Sequence, residues 1–292
     1  MIDAHHHVWD LDVRDQDWIT GAALAPLRRS FGMADLRPHA EAAGVTATVL
    51  VQTVTVPEET PELLALAASE DLVAGVVGWV DLTAPSVADD LAALLEGPGG
   101  PWLRGIRHQV QHEPDSEWLV RGDVLRGLRA VADAGLVYEL LTLPHQLAAA
   151  ARAVDAVPEA SFVLDHCSKP RVASGEVEPW AGEIRRLAAR PNVACKLSGL
   201  VTEADWRAWS VGDVEPYVAV VLDAFGPERV MFGSDWPVCL LAAPYDRVVE
   251  AATKLTARLT AAERDAVFTG TAARVYGIPA GEAGSPSGDT ST

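Results

Sequence analysis

Cysteine is scarce in this chain: Cys167, Cys195 and Cys239 are the only three in 292 residues. So few and so scattered, they exclude a disulfide framework and a structural zinc knuckle, and they read as packing residues. Basic side chains are also in deficit, with 23 Lys and Arg against 41 Asp and Glu and a formal charge of −18. That balance gives no electrostatic footprint for nucleic acid and no attraction to an anionic membrane. Long apolar runs are missing as well, and the first residues lack the basic and apolar segments of a secretory leader. The expectation is a cytoplasmic protein whose partner is a small molecule, with self-association to form a homo-oligomer left open.

What the chain does have is alternation. The opening residues, then 45–51, 73–80, 103–108, 136–141, 161–166, 193–198 and 229–233, are short strand-like runs, and a helical pattern trails each. Val87, Leu91, Leu94 and Leu95 form one apolar stripe, Asp35 is suited to cap a helix, and Thr260 with Glu263 spells a capping box. Eight such units in this length predict an α/β protein, a closed (β/α)8 TIM barrel over residues 1–278 as one domain. Residues 11–33 read as an irregular loop over the barrel, and the Gly/Ser/Thr/Pro-rich residues 279–292 as a disordered tail.

A barrel of this kind presents its chemistry where the strands end. The first strand carries His5-His6-His7, a run too short and too promptly followed by Val8-Trp9 to be an expression tag. Side chains alternate along a strand, so Asp3, His5 and His7 are expected on one face and Ala4, His6 and Val8 on the other. His5 and His7 then face the site and His6 the barrel wall. Asp3 either orients a histidine ring or joins an ion pair. The later strands end in Arg107-His108, Glu139, Asp165-His166, Lys196 with Ser198, and Gly233-Ser234-Asp235-Trp236-Pro237. Because a barrel closes on itself, Asp235 is expected beside His5 and His7.

The Asp-x-His-x-His opening, the strand-six His and the strand-eight Asp resemble the amidohydrolase superfamily. The segments 105–108, 165–170, 195–200 and 233–237 narrow the resemblance to its amidohydrolase-related sugar lactonase branch. That branch holds the L-fuconolactonase and L-rhamnonolactonase types, and pyrone-dicarboxylate lactonase is a more distant relative. The resemblance implies hydrolysis of a sugar-acid lactone, of the L-fucono-1,5-lactone type. Asp235 would activate water, while His5, His7 and His166 polarise the carbonyl directly or through a metal. Substrate contacts would fall to Arg107, His108, Glu139, Lys169 and Trp236, with Trp9 as a further pocket wall. The bridging Lys or Glu of strand four and the His of strand five, usual in metal-rich members, are absent here, so a two-zinc site is not expected. One zinc held by His5, His7, Asp235 and His166, or a metal-independent site, both remain open. Alternatives are a zinc-dependent amidohydrolase, a ring-acid decarboxylase of the same superfamily, and a sugar-acid binding protein without chemistry.

Overall fold

The computed structural model describes residues 1–279. Eight parallel strands lie side by side in chain order: β1 (Ile2–His6), β2 (Ala47–Val51), β3 (Val73–Gly78), β4 (Leu103–His108), β5 (Val137–Leu140), β6 (Ser161–Leu164), β7 (Val193–Leu197) and β8 (Val230–Phe232). The helices that follow them are α1 (Met33–Ala42), α2 (Glu59–Ser69), α3 (Val87–Glu96), α4 (Gly122–Asp133), α5 (Leu147–Ala156), α6 (Trp180–Ala188), α7 (Val211–Phe225) and α8 (Tyr245–Leu255). Two short helices, α9 (Ala261–Asp265) and α10 (Thr271–Tyr276), flank a π turn over 266–270. The expected TIM barrel is present.

β2, β3, β6 and β8 are mostly apolar because both of their faces are buried, whereas β1, β4, β5 and β7 carry buried polar and charged residues. Inside the barrel, Val49, Val51, Val77, Val137, Val163 and Met231 pack together, joined by Ala272 and Tyr276 of α10. Outside it, Leu50, Val76, Tyr138 and Phe162 meet the helices. The seam between last and first strands closes just beyond β8. There the Asp235 N–H donates to the His5 carbonyl at 2.8 Å, and the His7 N–H to the Trp236 carbonyl at 2.7 Å.

Strict alternation fails on β1. Asp3 pairs with Thr48 and His6 with Leu50, so two residues, Ala4 and His5, stand against Val49 alone. This is a β-bulge, which inserts one residue and resets which side chains point inward. Ala4 packs inside the barrel with Ile2, and His5 also turns inward. Asp3 therefore does not share the face of His5 and His7. It faces α8, where its carboxylate accepts hydrogen bonds from the Ser234 N–H at 2.8 Å and the Tyr245 hydroxyl at 3.0 Å. His6 points outward as expected, 2.9 Å from the Thr48 hydroxyl.

Two other local readings change. Asp35 is not the residue before α1. It is the third residue of the helix, and its carboxylate reaches back to the Gly32 N–H at 2.9 Å. The sixth strand stops at Leu164, because His166, Cys167, Ser168 and Lys169 all adopt positive φ, between 50° and 57°. The Thr260–Glu263 capping box is formed at the start of α9. Residues 11–33 are irregular apart from a 3-10 turn (Ala25–Leu27) and the first residue of α1, and Trp9 and Phe31 pair in antiparallel fashion to close the loop. The tail read as disordered lies, from residue 280 on, outside the described residues. No helix among those described is long and apolar enough to cross a membrane.

Candidate active site

Three imidazoles converge on one carboxylate at the mouth of the barrel. Asp235 Oδ1 lies 3.5 Å from His7 Nε2, 3.7 Å from His5 Nε2 and 3.9 Å from His166 Nε2. His5 Nε2 and His7 Nε2 are themselves 3.1 Å apart. The chain achieves this by unusual local backbone. The bulge turns His5 inward, the left-handed turn after β6 swings His166 across, and Asp235 itself has φ 57°. Non-glycine residues in that region cost about 1–2 kcal/mol each, and such strain concentrates at functional sites.

Glycine makes the close approaches. A Cβ at Gly233 would stand 2.7 Å from His5 Cβ, and one at Gly199 would stand 2.6 Å from His166 Nδ1.

Buried partners fix each ring. His7 Nδ1 is 2.8 Å from the Val51 carbonyl, which only accepts, so that nitrogen carries the proton and Nε2 presents its lone pair. His166 Nδ1 meets the Ser198 hydroxyl at 2.9 Å. His5 Nδ1 lies 3.0 Å from Lys196 Nζ and 3.5 Å from Asp165 Oδ1, while Arg107 Nη1 is 3.3 Å from its Nε2.

Burial, assisted by the Lys196 ammonium, holds His5 well below its ordinary value, and burial brings His166 down to about 4. Burial pulls Asp235 upward, but the facing His166 and His7 rings and Lys169 outweigh it, leaving the carboxyl below the usual carboxylate range. The result is two neutral rings, His5 and His166, beside an ionised acid.

Beneath them lies a second charged layer. Lys196 Nζ donates to Glu139 Oε1 at 2.6 Å and approaches Asp165 Oδ1 at 3.3 Å. Arg107 donates to Asp165 Oδ2 at 3.1 Å and to Gln52 Oε1 at 2.8 Å. From below, the Tyr276 hydroxyl of α10 reaches Glu139 Oε1 at 2.5 Å. Burial and the nearby Asp165 push Glu139 up to about 7.

Above Asp235 opens a cavity of about 220 Å3, which His7, Arg107, His166 and Lys169 also line. Three expected contacts are elsewhere. Glu139 sits a layer lower, fully buried against Lys196 and Tyr276. His108 turns outward, accepting from the Trp79 indole at 3.0 Å and stacking on Trp118. Trp236 packs edge-on against Phe31 within the core. Trp9 lines a separate groove of about 380 Å3 with Phe31 and Leu63. Asp165 and Lys196, polar residues at strand ends for which the sequence suggests no role, form the core of that lower layer. Gln52, which accepts from Arg107, and the cavity-lining Thr53, Gln109, Gln111 and His112 follow β2 and β4 and carry no signal in the sequence.

The family model described as amidohydrolase matches residues 2–278. The chain belongs to the amidohydrolase family. It is 43% identical to an L-fucono-1,5-lactonase of Burkholderia multivorans over 95% of this chain and 96% of that one. It is 40% identical to an L-fucono-1,5-lactonase of Burkholderia ambifaria over 84% of this chain and 82% of that one. A crystal structure of a Burkholderia multivorans amidohydrolase with bound zinc superposes with a TM-score of 0.89 at 42% identity, covering 95% of this chain and 99% of that one.

The amidohydrolase site of this chain has the chemistry of a metal-ligand set. His5, His166 and Asp235 offer one ligand atom each within 4.8 Å of one another. Two ligands of one zinc stand about 3.3 Å apart in a tetrahedron, given metal–nitrogen lengths of about 2.0 Å. The 3.1 Å between His5 and His7 is close to that. Asp165 Oδ1 is buried without a hydrogen-bond partner. That oxygen stands 3.5 Å from His5 Nδ1, the place of an outer carboxylate that orients a metal-bound histidine, with the Lys196 ammonium nearer to the same nitrogen at 3.0 Å.

Proposed function

We propose that this amidohydrolase opens a sugar-acid lactone, of the L-fucono-1,5-lactone type, by water attack on the ring carbonyl. The observation that carries the reading is the ionised Asp235 ringed by His5, His7 and His166 at the floor of a cavity of monosaccharide size. The kinship with two L-fucono-1,5-lactonases supports the same chemistry.

Asp235 acts as general base, taking a proton from water as the new C–O bond forms at the carbonyl carbon. When the tetrahedral intermediate collapses, the bond to the ring oxygen breaks. The proton on Asp235 passes to that leaving alkoxide, and the product is the open hydroxy acid. His166, whose Nδ1 can accept from the Ser198 hydroxyl, keeps an Nε2–H for the developing oxyanion, whereas His7 Nε2 offers a lone pair and can act there only as a ligand. Lys169, at the cavity wall, places a cation beside the same negative charge. The residues that would hold one divalent ion such as zinc are His5, His7, Asp235 and His166. When bound, it would supply Lewis-acid polarisation at the carbonyl or the water.

The test is a screen of 1,4- and 1,5-aldonolactones read by proton release, with Asp235→Asn beside the parent. Asp235→Asn is expected to cut kcat by at least about a hundredfold, within the range for a lost general base. Absence of turnover in the parent, or equal turnover in the variant, would reject the reading. The first outcome would leave a sugar-acid binding protein.

A further inference from the structure

The cavity above Asp235 has walls of two kinds. Gln109, Gln111 and His112, which follow β4, line one side with polar groups around Leu141. Trp18, Leu24 and Val238 make another side apolar. The Trp18 indole N–H, its sole polar atom, is spent on Gln16 Oε1 at 2.9 Å, so the ring presents only carbon to the cavity. Leu24 leads into the 3-10 turn Ala25–Leu27, which packs on the 3-10 turn Val238–Leu241. The long loop after β1 and the turn after β8 thus supply one continuous wall whose side chains can neither donate nor accept a hydrogen bond.

The position of that wall relative to Asp235 matters. In a 1,5-lactone the exocyclic carbon, C6, hangs from C5, which is joined through the ring oxygen to the carbonyl carbon. With the carbonyl carbon at Asp235, C6 stays within three bonds of it. Val238 lies only three residues beyond Asp235, at the edge of the same floor. With C6 against that wall, the ring hydroxyls on C2 to C4 would be left to Gln109, Gln111 and His112.

We propose that Trp18, Leu24 and Val238 form a specificity subsite for the methyl group of a 6-deoxy lactone, disfavouring lactones with a hydroxyl on C6. This rests on the lactonase reading above and adds to it the feature of the substrate that is selected. A methyl against this wall leaves water for an apolar surface. A hydroxyl in its place loses its hydration and gains no partner. A purely apolar pocket rejects an added hydroxyl by about ten- to a hundredfold, which sets the expected scale.

L-Fucono-1,5-lactone and L-galactono-1,5-lactone differ only in that C6 hydroxyl, and comparing their kcat/KM values tests the subsite. The parent is expected to favour the fucono lactone by about tenfold or more. Val238→Thr and Leu24→Ser, each checked for a native melting profile, place a hydroxyl in the wall. Both should narrow the ratio several-fold by raising turnover of the galactono lactone. Inhibition by the two open acids, L-fuconate and L-galactonate, should shift in the same direction as an independent measure of binding. A ratio near one in the parent, with good turnover of both, overturns the subsite and leaves the lactonase reading intact. A ratio unmoved in both folded variants does the same. No turnover of either lactone overturns both readings together.

Discussion

Lys196 shows how much of the site rests on residues that never meet solvent. Its ammonium is fully buried between Glu139 and Asp165, 2.6 and 3.3 Å away, with His5 Nδ1 at 3.0 Å. Removing one partner of a buried ion cluster strands the others, at a typical cost of about 3–5 kcal/mol. Lys196→Met should therefore lower the unfolding free energy read from urea titration by that scale, and adding Glu139→Gln should recover part of the loss. A strictly additive pair would show that Lys196 and Glu139 do not interact. Glu139 was legible as a strand-end acid but not as a buried one. Arg107 and Glu139 are paired in register on β4 and β5. The long guanidinium reaches the cavity, whereas the shorter carboxylate is captured by Lys196 and by Tyr276 from a distant part of the chain. His108 misled for a different reason. Next to Arg107 on a strand, it must point the other way, and Trp79, Glu113 and Trp118 hold it there. Burial keeps it below its ordinary 6.5 against the opposing pull of Glu113. The unfolded chain then binds the extra proton more readily, so the stability His108 contributes is complete above pH 6.5 and drains away as the pH falls below it. The slope attributable to this one residue is at most about 1.4 kcal/mol per pH unit. Denaturant midpoints from pH 7.5 to 5 should fall less steeply in His108→Gln than in the parent.

At the scale of elements, the site depends on three departures from regular geometry: the β1 bulge, the left-handed turn 166–169 and the tight path of Gly233. Gly233 offers the cleanest test. An added methyl would meet His5 Cβ at 2.7 Å and both His5 N and Ser198 Cβ at 3.2 Å, and two of these neighbours belong to the residue at the bulge. No flexible side-chain end is available to yield. Gly233→Ala is expected to cost about 1–3 kcal/mol in stability, as overpacking does. It should also reduce lactone turnover by tenfold or more, since small displacements of reacting groups are expensive. Thermal melts and kcat measured together check both parts, and wild-type turnover in a folded variant would contradict the role given to this contact. The order of strands and helices was readable because it follows from apolar runs and punctuation that each segment carries in itself. The bulge was not, since it depends on how Asp3 and His6 register against Thr48 and Leu50 some 45 residues away. The turn after β6 was hidden too. Its residues, His-Cys-Ser-Lys, include none of the glycines that usually announce positive φ, and the surrounding structure imposes the conformation. Even so, parity gave the right face for His5 and His7, because the inserted residue lies before both and shifts only Asp3 and Ala4 to new sides.

For the whole molecule the weak point is the seam where the last strand meets the first. β8 is short (Val230–Phe232), and the closure runs through the hydrogen bonds of Asp235 and Trp236 to His5 and His7. The same residues supply most of the candidate metal-ligand set: His5 and His7 from the first strand's end, Asp235 from just beyond the last, and His166 from across the barrel. An ion held there would tie both sides of the seam together. Any ligand that binds only the folded state stabilises it by RT ln(1 + [L]/Kd), or about 2.7 kcal/mol at a hundredfold excess over Kd. In a chain of this size that corresponds to a rise in Tm of roughly 4–5 °C. Protein stripped with a chelator and then given zinc at that excess should show the rise, and metal analysis should find one ion per chain. His7→Ala, which removes a ligand at the seam, should abolish most of the shift. Glu62→Ala, which breaks only the exposed pair with Arg14, should leave it in place. An equal shift in His7→Ala would mean that His5, His166 and Asp235 hold the zinc without His7. No shift in the parent, with lactone turnover retained after chelation, would mean that the histidines and Asp235 act on the carbonyl without an ion.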